Sequence, residues 1–411
     1  MKRFLFLTNR PIDSADIFCP IIQALTSLGS DVEVKALSPY QWMFPDAEID
    51  MELENANIST IHKSKSSAKS VKEELANILS DWKPNVVIAP IDQPVFYQEL
   101  LDISKKAGAK TAVINESPIT YIQAGAEELI SRVELKRYFS QETSRFSPPL
   151  SLDHFPKEQQ GPDTVRYRGQ SGADLVLVCG KNCKELLIKR GVSEKSVEVV
   201  GWVRGHTLSA NARLSGEEVR KELGIKKERP YVILVSQSFL WSDVPVRAND
   251  FEELVYAATV TKKLRPEVQP ILTVHPAVSL EEARASIENF PGHQDIILSK
   301  GFSDRGALSK HCEFAIGFFS TALVELMIHK KPILTLDYVA LQQWYPANIE
   351  YGAVVPCFHR FSVERQLQRI IFDKNVKVGL QANQVQLLKD VVGYPADGVI
   401  DRIARAIYSI C

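Results

Sequence analysis

Ser320 and Thr321 separate an apolar run, Phe314 to Phe319, from a stretch in which Leu323, Leu326 and Met327 recur at helical spacing. Lys330 and Lys331 close that stretch, and Pro332 opens the next apolar run. The pattern predicts strand, tight turn, helix and strand, with paired hydroxyls where the helix starts. Free N–H groups at a helix start, aided by the helix dipole, favour a phosphate. Glu325 falls one turn further along on the face of Thr321, where a carboxylate could accept hydrogen bonds from a ribose. Together these residues describe a seat for a nucleoside mono- or diphosphate. An ordinary strand–helix–strand unit would read the same way, with Ser320 as its N-cap and Glu325 in water.

His275 follows the apolar run Gln269 to Val274 and precedes Pro276. A histidine at the carboxyl end of a strand in an α/β sheet lies where ligands bind, and it can supply positive potential to a departing phosphate. It can also be a purely structural residue. With no Asp-x-Asp pair to hold a divalent ion, His275 and the Ser320/Thr321 helix start are expected to act without metal. A base for an attacking hydroxyl would come from the first half. Asp13 and Asp16 follow the first predicted strand, Asp92 the third and Glu116 the fourth. The first three could simply cap the helices that follow. Glu116, with Pro118 two residues on, has no such obvious duty, so Glu116 and Asp13 lead the candidates, followed by Asp16.

The elements that must position these groups alternate along the chain. In the first half, strands are predicted at Arg3–Thr8, Asp31–Leu37, Asn85–Ala89, Lys110–Ile114, Asp174–Cys179 and Ser196–Val200, with helices between them. A second series begins after Gly224, with strands at Tyr231–Ser236, Gln269–Val274, Asp295–Leu298, Phe314–Phe318 and Pro332–Leu336. Such alternation implies parallel sheets covered by helices. Expected boundaries are a domain over 1–206, a linker over 207–224 containing a short charged helix, a domain over 225–396 and a terminal helix over 397–411. That helix carries Val399, Ile400, Ile403, Ile407 and Ile410 on one stripe and is expected to pack back on the protein. Between Arg132 and Arg168 the periodicity lapses, as in an active-site loop or an insertion.

Composition bounds the rest. At 411 residues the chain has room for two cores, and its 45% hydrophobic, 24% charged make-up is that of a globular protein. A net charge of −1 gives no overall attraction for nucleic acid. Six scattered cysteines point to reduced thiols and a cytoplasmic setting. The apolar start, Phe4 to Leu7, is short and runs into Asn9-Arg10-Pro11, so it reads as a first strand rather than a leader. Tyr40 to Phe44 could stack on sugars, touch a lipid carrier or be buried; Lys63, Lys65, Lys69 and Lys72 read as a solvated face, leaving room for peripheral association with an anionic membrane.

Several segments resemble GT-B glycosyltransferases. Ala173 to Val192 followed by Val197 to Gly201 is similar to the passage near the end of their first domain. Val274-His275-Pro276 resembles the His-Pro motif of bacterial sialyltransferases and capsule Kdo transferases, whose histidine contacts the donor phosphate. Ser320-Thr321, Glu325 and Lys331-Pro332 resemble the serine-rich donor motif, and Tyr231 to Gln237 is similar to the strand-then-glutamine entry of the Kdo enzymes. The resemblance implies an α/β protein of two Rossmann-like domains facing across a central cleft, with donor contacts at Gln237, His275, Ser320, Thr321 and Glu325. It implies transfer from a nucleotide sugar, CMP-linked by preference with UDP or GDP as options, to a glycan or lipid-linked glycan in surface polysaccharide synthesis, with no cofactor. Nucleotide-sugar 2-epimerases share the fold but carry His-Arg-x-x-Glu-Asn and Ser-Gly-Gly where this chain has Ser236-Gln237-Ser238 and Phe319-Ser320-Thr321. They are the alternative, with a non-catalytic glycan- or partner-binding protein as the third reading. The adjacent acidic residues of the sialyltransferase first domain have no clear copy here.

Overall fold

The structure, a computed structural model, describes residues 1–8, 17–37, 59–61, 68–90, 95–115, 171–189, 191–237, 249–275, 278–318, 320–339, 346–395 and 397–411. It divides into two compact units, Met1–Val203 with Gly398–Cys411, and Arg204–Asp397. The expected bases Asp13, Asp16, Asp92 and Glu116, the aromatic stretch at 40–44 and the irregular stretch at 132–168 lie outside the described residues.

In the first unit β1 (Lys2–Leu7), β2 (Val32–Leu37), β3 (Ser59–Ile61), β4 (Val86–Ala89), β5 (Lys110–Ile114), β6 (Leu175–Val178) and β7 (Val197–Val199) form one seven-stranded sheet in the order β3-β2-β1-β4-β5-β6-β7. Every pairing is parallel. The continuous apolar runs of β4 and β6 are buried along their whole length, as strands covered on both faces must be. One face packs Leu5, Leu7, Val87, Val113 and Val176 against helix residues such as Leu75, Tyr97 and Leu101. Tyr97 also donates from its hydroxyl to the Thr8 carbonyl at 2.8 Å, tying its helix to the end of β1. The last helix, Val399–Ser409, packs on Cys19–Thr26 and buries Val399, Ile403, Ala404 and Ile407; of the stripe expected from the sequence, Ile400 and Ile410 are only partly buried.

The second unit contains β8 (Tyr231–Val235), β9 (Gln269–Thr273), β10 (Ile297–Ser299), β11 (Ala315–Gly317), β12 (Ile333–Leu336) and β13 (Val355–Cys357). They form a six-stranded sheet in the order β10-β9-β8-β11-β12-β13, again parallel throughout. Each sheet reverses its winding once, between β1 and β4 in the first and between β8 and β11 in the second. At such a point the flanking connections leave in opposite directions and open a crevice beyond the strands' carboxyl ends.

Helices at Val203–Asn211, Val363–Phe372 and Lys374–Leu387 were not foreseen, nor were the short edge strands β3 and β13. The Val203–Asn211 helix is held by three devices within the second unit. Gly306 approaches so closely that an added Cβ would collide with the Leu208 carbonyl, and Tyr394 donates to Ser209 Oγ at 3.1 Å. Asp304 caps the Arg305–His311 helix through Ala307 N–H at 2.8 Å. The same carboxylate accepts from Arg213 N–H at 2.8 Å and Leu214 N–H at 2.9 Å, pinning the chain just after the helix.

Burial would raise the Asp304 carboxyl, but the backbone N–H groups of Leu214, Ala307 and Arg213 outweigh it and hold the carboxyl below its ordinary value. A depressed carboxyl stabilises the fold above its unfolded pKa, and that contribution is lost as pH falls through the folded value. Replacing Asp304 with Ala is therefore expected to cost about 1–2 kcal/mol near neutrality, read by urea denaturation. The difference from wild type should shrink once pH drops below the ordinary carboxylate range. An unchanged midpoint at neutral pH would show that Asp304 does not anchor this region.

Candidate functional site at the winding reversal of the second sheet

The segment Phe314 to Leu336 folds as its pattern predicts: β11, a turn, a helix over Thr321–Ile328 and β12. Ser320 is the N-cap, in an extended conformation, and its hydroxyl accepts from Ala322 N–H at 3.3 Å. The helix can lie tight against the sheet because Gly317 has no side chain. A Cβ there would sit 3.1 Å from Val235 Cβ and 3.2 Å from Leu323 Cδ2. Leu323, Val324, Leu326 and Met327 anchor the helix in the core, and Ser320 and Thr321 stay partly exposed at its start.

Glu325 is only 7% exposed, so it is not the solvated residue of the ordinary reading. Its Oε1 lies 3.0 Å from Arg204 Nε, and both side chains are largely buried. Arg204 belongs to the Val203–Asn211 helix. Nothing in the sequence advertised this pairing, because its two members are far apart along the chain and Arg204 sits in a stretch without clear periodicity.

His275 follows β9, the neighbour of β8. Its backbone N–H donates to Ser236 Oγ at 2.8 Å, and the same hydroxyl donates to the Thr273 carbonyl at 2.9 Å. Ser236, 3% exposed, thus continues the β8–β9 ladder beyond the last strand residue and fixes the backbone from which His275 projects. Gln237 comes next, with its Oε1 buried and unpaired among the described residues. From β9 across β8 to β11 is two strand spacings, about 10 Å. The fold therefore brings His275, Gln237, Ser320, Thr321 and Glu325 to one end of one sheet, grouped around its winding reversal.

Asp250 adds a carboxylate the sequence reading passed over. It opens the helix Asp250–Leu264, which is the first helix described after β8. Burial pushes its carboxyl up to about 6, against a partly compensating hydrogen bond from the Phe251 backbone. Its only sequence mark is its place in a capped first turn, where an acidic residue is commonplace.

Solved structures of other proteins share this fold. A UDP-GlcNAc 2-epimerase from Neisseria meningitidis bound to UDP-GlcNAc superposes with TM-score 0.67 at 13% identity, over 100% of each chain. A glycosyltransferase from Rickettsia africae gives TM-score 0.56 at 12% identity, over 100% of this chain and 98% of that one. Anabaena HepE in complex with UDP-glucose gives 0.55 at 13% identity, over 100% of each chain. No protein-family model and no curated protein sequence matches the chain. These likenesses, together with the two parallel sheets, define a GT-B-like fold. Among the described residues no helix is long and apolar enough to cross a membrane.

The raised Asp250 carboxyl makes a prediction whose sign follows from linkage. A carboxyl with folded pKa about 6 and ordinary value 3.8 binds its proton more tightly in the folded state. Stability is therefore lost as pH rises between those values. In thermal melts, wild type should lose stability relative to Asp250→Asn between pH 4 and pH 7. A constant difference across that range would show that Asp250 is not desolvated as described.

Proposed function

We propose that this protein is an enzyme acting on a nucleotide sugar, with the nucleotide seated at the carboxyl ends of β8, β9 and β11 and the reaction beginning with cleavage between the anomeric carbon and the phosphate. The observation that carries this reading is the convergence at the winding reversal of a helix start bearing Ser320 and Thr321, a buried carboxylate at Glu325 and His275 on a fixed backbone. Helix-start N–H groups and the two hydroxyls would stabilise charge growing on the leaving phosphate, and His275 would add a donor. Because that charge grows in the transition state, His275 serves turnover more than ground-state affinity.

UDP is favoured over the CMP expected from the His-Pro resemblance. UDP, UDP-GlcNAc or UDP-glucose is the ligand named for structural relatives of this chain. Epimerases from Neisseria meningitidis and Methanocaldococcus jannaschii superpose with TM-scores of 0.67 and 0.57 and the transferase from Rickettsia africae with 0.56, which leans toward epimerisation or hydrolysis of a UDP-sugar. Inverting C2 of a sugar requires a base to take the C2 proton while the electron pair helps expel the nucleotide from C1. Glu116, Asp13 and Asp16 remain the proposed bases. Transfer to a glycan is the second reading, and a specific feature favours it. The positions where 2-epimerases carry their basic and glycine motifs hold Ser236-Gln237 and Ser320-Thr321 here.

Incubation with a panel of UDP-sugars, followed by proton and phosphorus NMR, separates the readings. A new C2-epimeric UDP-sugar indicates epimerisation, free UDP with free sugar indicates hydrolysis, and free UDP only when a glycan acceptor is present indicates transfer. His275→Ala is expected to lower turnover by about 10²-fold or more while changing UDP affinity only a few-fold. Turnover should also survive excess chelator. Absence of any product from UDP-, CMP- and GDP-sugars, with and without acceptors, would overturn the enzymatic reading.

A further inference from the structure

The ion pair between Arg204 and Glu325 joins the proposed nucleotide seat to a helix the sequence did not announce. Glu325 lies on the face of Thr321, one turn beyond the helix start, and is 7% exposed. A carboxylate buried to that degree is costly unless an opposite charge meets it. Arg204 Nε, 3.0 Å from Oε1, supplies that charge. Among the described residues it is the one polar contact made to the Glu325 carboxylate, an ion pair without hydrogen-bond alignment, which leaves Oε2 uncommitted. A buried ion pair is a weak source of stability, because apolar residues of similar volume often do as well. Its value lies in holding a charged group at a set position.

The position is set by the surroundings of Arg204. Its helix cannot slide toward the Arg305–His311 helix, because the Leu208 carbonyl already fills the space above Gly306. It is tied at Ser209 by Tyr394, and the chain beyond it is tied by Asp304. Arg204 therefore projects from a braced element, and a guanidinium fixes the plane of a carboxylate better than an ammonium on a flexible stem does. We propose that Arg204 is the positioning residue of the nucleotide seat: it holds Glu325 through one oxygen so that the other is presented to the hydroxyls of the ribose. This inference rests on the nucleotide-sugar reading given above and names a determinant of ribose recognition within it.

The test compares affinities for UDP and for 2′,3′-dideoxyuridine diphosphate by calorimetry in wild type, Arg204→Met, Arg204→Lys and Glu325→Gln. Wild type should prefer UDP by about tenfold or more, the range for hydrogen bonds to a charged acceptor. Arg204→Met should reduce that preference to below about threefold, as Glu325→Gln does, while leaving affinity for the dideoxy compound unchanged. Arg204→Lys should fall between. A merely structural role would lower both affinities together, so that result overturns the inference. So does an unchanged preference in Arg204→Met, or in Arg204→Lys should the methionine variant not fold. If wild type binds neither compound, the nucleotide-sugar reading falls and takes the inference with it. If wild type discriminates and every Arg204 variant discriminates equally, the inference alone falls.

Discussion

Parallel pairing is the constraint on which the rest depends. When every strand of a sheet points the same way, all carboxyl ends lie along one edge, and the chain must return over a face of the sheet after each strand. The second sheet starts at its middle with β8, winds outward through β9 and β10, then crosses to β11 and winds the other way. A crevice results beside β8 without any residue being spent on making it. The residues that could do chemistry there sit within the first few positions past β8, β9 and β11 or, for Glu325, one turn into the helix that follows β11.

Those first positions are also where a site could become loose, and the structure shows how each is held. Ser236 adds side-chain bonds to the ladder and locks the exit of β9 to that of β8. Gly317 lets the Thr321–Ile328 helix lie close, so that its start is set by core packing of Leu323 and Met327 rather than by the loop. Glu325 is set by Arg204, itself placed by Asp304, Gly306 and Tyr394. A binding site whose contact residues are each fixed by a second layer loses little conformational entropy when the ligand arrives. Elsewhere the polar groups serve the fold alone. Glu253, 2% exposed, accepts from the Tyr338 hydroxyl at 2.6 Å and forms an ion pair with Arg360, fastening the Asp250–Leu264 helix to the end of β12. The buried thiols behave as small apolar groups, with burial pushing Cys312 up to about 12.

The sequence was legible where one element carries its own signal. Apolar runs such as Leu175–Val178 and Tyr231–Val235 are strands because a strand buried on both faces must be apolar throughout, and their bounds are nearly those expected. The Ser320 cap and the stripe of the last helix were legible for the same local reason. The edge strands β3 and β13 were not, since neither sits in a longer apolar run that the alternation of strands and helices would pick out. The Val203–Asn211 helix was missed because Gly205 interrupts it and its helical spacing is weak. Arg204, Ser236 and the burial of Asp250 and Glu325 were illegible for a different reason. Their roles come from what the fold sets against them, and a lone sequence does not record which distant residue that is.

The proposed nucleotide seat lies where β8, β9 and β11 end. Amide hydrogen exchange with and without saturating UDP tests it most directly, because it reads the whole chain and needs no substitution. Exchange should slow in the peptides covering Ser236 to Gln237, His275 and Ser320 to Glu325, with the amino-terminal ends of the same strands unchanged. Protection confined to other segments, or none at a concentration where UDP demonstrably binds, would contradict it.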